Sequence, residues 1–189
     1  MQVHNITTKN KIFRLTWKLT WLFLAAWTPV FMHRWRVLLV RLFGGKVCFS
    51  SCIYPSTSIW NPKNIMMGKK STLGPYVDCY NVAPISIGNY ATVSQRTYLC
   101  TASHDYDQPV VTDNVMNLLI GPIVIEDFAW IAAEVFVGPD KIIRNGSIIL
   151  AGSVVTKSTT PMGVYSGNPI KHLRDRKSIL KASEFLIPH

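Results

Sequence analysis

The chain has 189 residues, the size of one ordinary domain, so we expect no second catalytic domain of usual size. Its residues are 48% hydrophobic and 16% charged, with 11 Gly and 11 Pro, which excludes a disordered, collagen-like or coiled-coil chain. The four cysteines form no C-x-x-C pair and have no histidines at zinc spacing, so they favour neither a disulfide framework nor a zinc site. A reducing cytoplasm is the simplest setting for such a chain.

The net charge of +10 comes entirely from the first part of the chain. Residues 1–77 contain eleven Lys or Arg and no Asp or Glu, whereas residues 78–189 contain nine basic and ten acidic residues. This asymmetry indicates an acidic partner surface, for which nucleic acid and anionic lipid headgroups are the usual candidates. Because no nucleic-acid-binding motif accompanies the charge, we expect no nucleic acid partner.

Residues 1–45 predict two amphipathic helices separated by Pro29. Helical spacing links two sets of apolar residues: Phe13, Trp17, Trp21 and Leu24, and then Phe31, Trp35, Leu38, Leu39 and Leu42. A bilayer span needs about 20 apolar residues. Residues 19–32 are fewer and include Pro29, so we expect neither a span nor a signal peptide. The helices either pack on the end of the domain or lie on an anionic membrane, and the two uses can coexist.

After Gly45 the sequence repeats with a period of six residues. Aliphatic residues occupy every sixth position at Ile125, Ile131, Val137, Ile143, Ile149 and Val155. Small or β-branched residues lie two positions before most of the next aliphatics, at Ala129, Val135, Ser147, Ser153 and Thr159, with Lys141 as the exception. Earlier blocks begin at Met67 and Ile87, with a two-residue shift at Ile85-Ser86. Because six fits neither the helical period nor the strand period, the pattern predicts short strands joined by tight corners, with eighteen residues per turn of a coil.

The pattern [LIV]-[GAED]-x-x-[STAV]-x resembles that of the hexapeptide-repeat acyltransferases across residues 46–172. Residues 34–36 (RWR), 42–44 (LFG), 98–105 (YLCTASHD) and 166–169 (SGNP) are similar to the colanic-acid-type O-acetyltransferases. The resemblance implies a mainly β fold, a left-handed parallel β-helix with N-terminal amphipathic helices and a short C-terminal helix. It also implies a homotrimer with active sites between subunits.

We therefore divide the chain into three parts. Residues 1–45 form an N-terminal amphipathic helical segment, and residues 46–172 form the β-helix acyltransferase domain with an inserted loop at 105–122. Residues 173–189 are expected to form a helical cap or tail that covers the open end of the coil.

The interruption of the repeat at residues 105–122 marks the candidate active site, because an insertion beside a rigid turn is a place for function. His104 stands at its mouth and is the only histidine within the repeats. An imidazole can take a proton from a hydroxyl group as its oxygen attacks a thioester. We predict that His104 is the catalytic general base, oriented by Asp105 or by a carbonyl of the coil.

The acceptor site is expected to involve Asp78, Tyr80 and Asp105. In similar acetyltransferases an Asn often lines this site, and the comparable position here holds Asp78, for which a structural corner role is equally open. Aromatic faces suited to a sugar are offered by Tyr98, Tyr106 and Trp130, although core packing is the default for each.

The donor that the resemblance implies is acetyl-coenzyme A, and no metal is expected. Matched by motif, four residues fall where similar enzymes contact the donor: Ala133, Ala151, Thr156 and Lys157. Lys171 and Arg174 are further candidates for the donor's phosphates, because charge-assisted hydrogen bonds suit these groups.

Together these features predict a cytoplasmic O-acetyltransferase that moves acetyl from acetyl-coenzyme A to a sugar hydroxyl. The sugar belongs to a colanic-acid-like cell-surface polysaccharide precursor, and peripheral contact with the inner face of the membrane fits the basic helices. Alternatives are an amino sugar or serine-type hydroxyl as acceptor, or a noncatalytic scaffold. A γ-type carbonic anhydrase is nearly excluded, because it needs three histidines and His104 is alone in the coil.

Overall fold

A parallel β-helix follows two helices in the computed structural model, which describes residues 8–104 and 118–177. The helices are α1 (Thr8–Leu24) and α2 (His33–Leu42). Sheet A contains β1 (Lys46–Val47), β4 (Ile65–Met67), β7 (Ile85–Ile87), β12 (Ile123–Ile125) and β15 (Lys141–Ile143). Sheet B contains β2 (Cys52–Ile53), β5 (Thr72–Leu73), β8 (Thr92–Val93), β13 (Trp130–Ile131), β16 (Ile148–Ile149), β18 (Gly163–Ser166) and β19 (Lys171–Asp175). Sheet C contains β3 (Ser58–Ile59), β6 (Asp78–Tyr80), β9 (Tyr98–Cys100), β14 (Phe136–Val137) and β17 (Val154–Val155). A separate hairpin joins β10 (Ala102–His104) to β11 (Leu118–Ile120). The predicted parallel β-helix is confirmed.

The length of a turn changes along the coil. Lys46 pairs with Met66, and Met66 pairs with Ser86, a separation of 20 residues that side-chain bonds also span. Later in the coil Val124 pairs with Ile142, and bonds between turns span 18 residues. The extra residues lie in the corner between sheets C and A, which is wide after Ile59 and Cys79 and narrow after Val137. The two-residue shift predicted once therefore recurs in each early turn.

The interior column has the residues that the repeat predicts. All six aliphatic residues from Ile125 to Val155 are fully buried, and the earlier blocks of the repeat continue this column towards the first turn of the coil. The small residues before them are buried as well, and their hydroxyl groups bond within the corners, as when Ser153 donates to the Leu150 carbonyl at 2.6 Å. The exception, Lys141, is half-buried and donates its ammonium group to the carbonyls of Pro139 and Asp140. Enclosed polar groups therefore find partners at the corners.

Two corners of every turn after the first use a left-handed backbone conformation. Residues with φ of 52° to 59° occupy the A–B corner at Lys70, Tyr90 and Phe128, and the B–C corner at Tyr76, Arg96 and Glu134. A left-handed φ strains residues that carry a Cβ, so the corners cost free energy that the ladders between turns must offset. These positions could not be recognised from the sequence, because the residues are not the Gly or Asn usually found there.

Gly88 meets the next turn so closely that a side chain does not fit. A Cβ placed there would lie 2.5 Å from the backbone nitrogen of Asp127. We expect Gly88→Ala to lower the free energy of unfolding by about 2 kcal/mol, because two neighbouring turns must move apart. Gly138→Ala is the matched control, since its Cβ would lie 3.5 Å from the nearest atom. Urea unfolding of both variants measures the difference, and equal stabilities would contradict the crowding.

The helices cap the first turn of the coil. Trp17 and Trp21 of α1 donate their indole N–H groups to the carbonyls of Ile59 (2.6 Å) and Pro55 (3.1 Å), which lie at the open end of the sheets. In α2 the buried residues are Arg36, Val37, Leu39 and Val40, so most of the apolar residues that the helical spacing had linked lie outside. No helix among the described residues is long and apolar enough to cross a bilayer.

The C-terminal segment differs from the predicted helix where it begins. Leu173, Arg174 and Asp175 belong to β19, which pairs antiparallel with β18 at the end of sheet B. The open edge of β18 offers backbone partners that a helix cannot use, so this part of the segment adds a strand instead. Arg176 holds the tail by donating to the carbonyls of Phe128 and Gly146. Residues 178–189 lie outside the described part of the chain.

Candidate active site

His104 is the last residue of β10, on a two-stranded arm that leaves the coil at the wide C–A corner. The imidazole is exposed, and His104 pairs with Leu118 across the arm. The base of the arm is fixed at Thr101, whose hydroxyl accepts from Ala83 N–H at 3.0 Å and donates to the Tyr80 carbonyl at 2.9 Å. The insertion is thus rooted in the coil, and its root positions the histidine. Asp105 and Tyr106 lie outside the described residues.

The wide corner that carries the arm is built by stacked amides. Asn81 donates its side-chain N–H to the Asn61 carbonyl at 2.7 Å, and its side-chain oxygen accepts from the Asn61 N–H at 2.9 Å. Asn64 reaches the next turn by donating to the carbonyls of Asn81 and Val82. Thr101 follows Asn81 in this ladder and continues it into the arm. The position of His104 therefore depends on a corner that hydrogen bonds hold in all three early turns.

The outer face of sheet C brings together two of the predicted acceptor residues. Asp78 pairs with Tyr98, and Tyr80 pairs with Cys100, on the two neighbouring turns that precede the arm. Asp78 is exposed, while Tyr80 and Tyr98 are half-buried with their ring centroids 6.5 Å apart. A carboxylate beside aromatic faces is a combination that binds sugar hydroxyl groups and stacks against a sugar ring.

Tyr98 is held in its protonated form. Burial raises the pKa of its phenol above the ordinary value, and the neighbouring Cys100 thiol raises this pKa further. A phenol with a raised pKa keeps its O–H group and can donate a hydrogen bond at any pH near neutrality. Beside the acceptor carboxylate of Asp78, the Tyr98 hydroxyl supplies a donor, so this face can satisfy both sides of a sugar hydroxyl.

An aromatic ladder that sequence analysis did not predict runs along sheet C. The ring centroids of Trp60 and Tyr80 are 5.7 Å apart, and those of Tyr98 and Phe136 are also 5.7 Å apart. The Arg14 guanidinium of α1 lies 4.0 Å from the centroid of Trp60 and extends the ladder to the helices. The paired aromatic residues are 20 or 38 positions apart in the sequence, which are the lengths of the turns between them. This spacing could be recognised only once the turn lengths were known. Trp130, the third predicted platform residue, lies on sheet B and bonds the Ser94 hydroxyl instead.

Ala133 and Ala151 lie one above the other at the B–C corner of the last two turns. The Gly152 N–H donates to the Ala133 carbonyl at 3.0 Å, which links the two corners directly. Ala151 is exposed, and a Cβ placed at Gly152 would meet no atom within 4 Å. The corner is therefore open and lined by small groups, so an extended ligand can approach its backbone closely.

The four remaining residues predicted to bind the donor occupy different places around the coil. Lys171 pairs with Ser166 near the B–C corner, so it lies on the same side as the alanines. Arg174 pairs with Val164, further along β19. Thr156 and Lys157 follow β17, at the C–A corner on the other side of sheet C. All four are exposed, and within one chain the structure does not bring them to a single point.

Potential metal ligands do not cluster in the described part of the chain. Within residues 8–104 and 118–177, no three His, Cys, Asp or Glu side chains lie close enough to hold an ion. All four cysteines are free thiols, and burial raises the pKa of Cys79 well above its usual value. A buried thiol with a raised pKa is a packing group and not a nucleophile.

Comparison with known proteins places the chain in a family. The Escherichia coli (strain K12) protein named as a colanic acid biosynthesis acetyltransferase, WcaF, is 38% identical over 151 residues, which cover 80% of each chain. This chain belongs to the colanic-acid-type hexapeptide-repeat acetyltransferases. It is therefore an acyltransferase, as the resemblance implied. The galactoside O-acetyltransferase of the same organism is 30% identical over 99 residues, covering 52% of this chain and 46% of its own length. No family model matches the sequence.

Solved structures show the same architecture. The hexapeptide-repeat acetyltransferase VCA0836 of Vibrio cholerae, solved with acetyl-coenzyme A, is 27% identical and has a TM-score of 0.78, with 91% of each chain covered. A maltose O-acetyltransferase from Clostridium difficile 630 also has a TM-score of 0.78, at 22% identity, and covers 91% of this chain and 90% of its own. At 22% identity, the similarity to the maltose O-acetyltransferase shows the fold alone.

Proposed function

We propose that the protein transfers acetyl from acetyl-coenzyme A to a sugar hydroxyl of a colanic-acid-like cell-surface polysaccharide precursor, with His104 as general base. The observation that carries the proposal is the exposed imidazole of His104 on an arm rooted beside the outer face of sheet C. That face offers Asp78, Tyr80 and Tyr98 to an acceptor. The similarity to the colanic acid biosynthesis acetyltransferase supports the choice of acceptor.

The reaction needs one proton acceptor that later becomes a proton donor. The imidazole of His104 takes the proton of the sugar hydroxyl while its oxygen attacks the thioester carbonyl carbon. The new C–O bond forms and the C–S bond of the tetrahedral intermediate breaks, after which the leaving thiolate receives the proton from the imidazolium. The products are the O-acetyl sugar and free coenzyme A, so protons and charges balance without a metal. Asp105 is the proposed partner that orients the imidazole.

The donor would lie along the open B–C corner. Ala133 and Ala151 leave space for an extended pantetheine arm, whose amide groups can pair with exposed backbone groups. Lys171, Arg174 and Lys157 would hold the phosphates, with Thr156 beside Lys157 as a hydroxyl partner. The structure of the Vibrio cholerae acetyltransferase with acetyl-coenzyme A supports this choice of donor.

The active unit would be a homotrimer with sites between subunits. The proposed donor residues lie near both ends of strand β17 within one chain: Ala151 precedes the strand and Lys157 follows it. A groove between two coils can be lined by the B–C corner of one subunit and the C–A corner of its neighbour, whereas in a single coil these corners lie apart. We propose that this enzyme works in the cytoplasm, in peripheral contact with the anionic inner face of the membrane. The basic charge of residues 1–77 supports that contact.

Calorimetric titration with acetyl-coenzyme A tests the proposed donor without any assumption about the acceptor. We expect micromolar binding at about one site per subunit, because the phosphates and the pantetheine arm supply many contacts. The His104→Ala variant, run beside the wild type, should bind equally well. Absence of binding to a folded trimer would favour a noncatalytic scaffold and would reject the proposal.

A further inference from the structure

An apolar surface remains uncovered at the outer side of the two helices. Its residues are Phe23 and Leu24 at the end of α1, Trp27, Val30 and Phe31 in the turn, and Trp35, Leu38 and Leu42 on α2. We call this set the N-terminal apolar surface. Trp27 is 82% exposed, Phe31 81% and Leu42 71%, values that a folded protein rarely leaves to water over neighbouring residues.

Hydrogen bonds link the parts of the N-terminal apolar surface. Trp35, Leu38 and Leu42 lie on the side of α2 opposite its buried residues, and Phe31 precedes them at the same spacing in the turn. The Trp35 indole donates to the Leu24 carbonyl at 2.7 Å, so the end of α1 is tied to this side of α2. Below it, Arg36 holds the turn by donating to Thr28 at 2.7 Å and to the Pro29 carbonyl at 3.0 Å. The aromatic residues are therefore presented on a fixed support.

Cations accompany this surface on the same two helices. Lys18, Arg34 and Arg41 are exposed on the same helices, and residues 1–77 contain no Asp or Glu. A second copy of the chain is a poor partner, because pairing like surfaces would bring these cations together. A nucleic acid would contact the cations through its phosphates, but it would leave the apolar side chains exposed to water. An anionic bilayer interface satisfies both, since apolar side chains enter the acyl boundary while Lys and Arg reach the phosphates.

We infer that the N-terminal apolar surface binds the interface of an anionic lipid bilayer, with Trp27 and Phe31 inserted below the headgroups. The inference rests on the peripheral contact proposed above, and it names the residues that make this contact. Neither helix crosses the bilayer, since none of the described helices is long and apolar enough. Because α1 and α2 cap the first turn, the bound coil points away from the lipid and the His104 arm leaves it two turns further on.

Vesicle sedimentation tests the inference with the full chain. The probes are phosphatidylethanolamine vesicles with about 30% phosphatidylglycerol and vesicles of phosphatidylcholine alone. We expect binding to the anionic vesicles that weakens with added salt, and a blue shift of tryptophan emission. The double variant Trp27→Ser/Phe31→Ser should lower the partition coefficient by about tenfold or more, because two aromatic side chains no longer leave water.

A matched double variant controls for the loss of apolar area. Trp130→Ser/Leu173→Ser removes exposed residues from sheet B, far from the helices, and should bind vesicles like the wild type. Equal binding by Trp27→Ser/Phe31→Ser, or no binding to vesicles by the wild type, would overturn the inference. So would a smaller oligomer for the double variant in sedimentation velocity, because the surface would then be covered by another copy. Titration with acetyl-coenzyme A on the same samples separates a failure of membrane binding from a failure of the proposed activity.

Discussion

Replacing His104 by Ala should lower turnover by about two to four orders of magnitude, the size expected when a general base is lost. The side chain is exposed at the end of β10, and the wide corner is held by Thr101 and Asn81. The variant should therefore fold and bind acetyl-coenzyme A like the wild type. Release of free coenzyme A in the presence of a sugar acceptor measures turnover, and calorimetry measures donor binding.

The matched control is His172→Ala. His172 is also exposed and bonds Asp175 at 2.8 Å on β19, so its loss removes a histidine without touching the arm. We expect turnover close to that of the wild type for this variant. Full turnover by His104→Ala would show that another group takes the proton. Loss of donor binding in His104→Ala would instead assign the histidine to the donor site.

Arg36→Met should lower the free energy of unfolding by about 3 kcal/mol or more, because three carbonyls would lose a charged donor at once. The Arg36 side chain is fully buried and donates to the carbonyls of Ile53 (2.6 Å), Pro29 (3.0 Å) and Val30. Burial lowers the pKa of this guanidinium, yet a guanidinium remains charged at neutral pH. The residue ties the turn between the helices to the first turn of the coil.

Arg34→Met provides the control, because Arg34 lies two residues away on α2 and is exposed. Its loss should change the free energy of unfolding by less than about 0.5 kcal/mol. Urea unfolding monitored by circular dichroism compares the two variants. Equal stability of Arg36→Met and Arg34→Met would mean that water replaces the guanidinium without penalty and that the helices do not depend on this clamp.

The fold could be predicted because the repeat has a direct physical cause. One aliphatic residue every six positions is what a coil of three short strands needs to fill its interior, and neither a helix nor a long strand shares that period. Ile125, Ile131 and Val137 occupy three successive sheets, as predicted. The position of the insertion after His104 could also be predicted, because the chain must leave the coil where the six-residue repeat stops.

The helices show where sequence patterns become insufficient. Helical spacing linked Trp17 with Leu24, and Leu39 with Phe31, Trp35 and Leu42, yet of these residues only Trp17 and Leu39 are buried. Arg36 belongs to the basic excess of residues 1–77, and the structure buries it among carbonyl groups. Composition cannot distinguish these cases, because α2 is apolar on more than one side and the contact with the coil selects the side that is buried.

The C-terminal strand and the acceptor face depended on tertiary contacts in a different way. The residues around Arg174 look helical alone, and they form a strand because the edge of β18 offers backbone partners. Tyr80, Tyr98 and Phe136 are far apart in the sequence and become neighbours only because the early turns are 20 residues long and the arm adds 18.

By itself, the sequence determined the coil, its buried column and the site of the insertion, because each follows from residue type at a fixed period, and its motifs indicated the family. The tertiary structure decided which residues share a face, since that depends on corner widths and on which surface a helix meets. The aromatic ladder of sheet C, the buried clamp of Arg36 and the exposed N-terminal apolar surface all belong to this second group. Each depends on contacts between residues that no local pattern links.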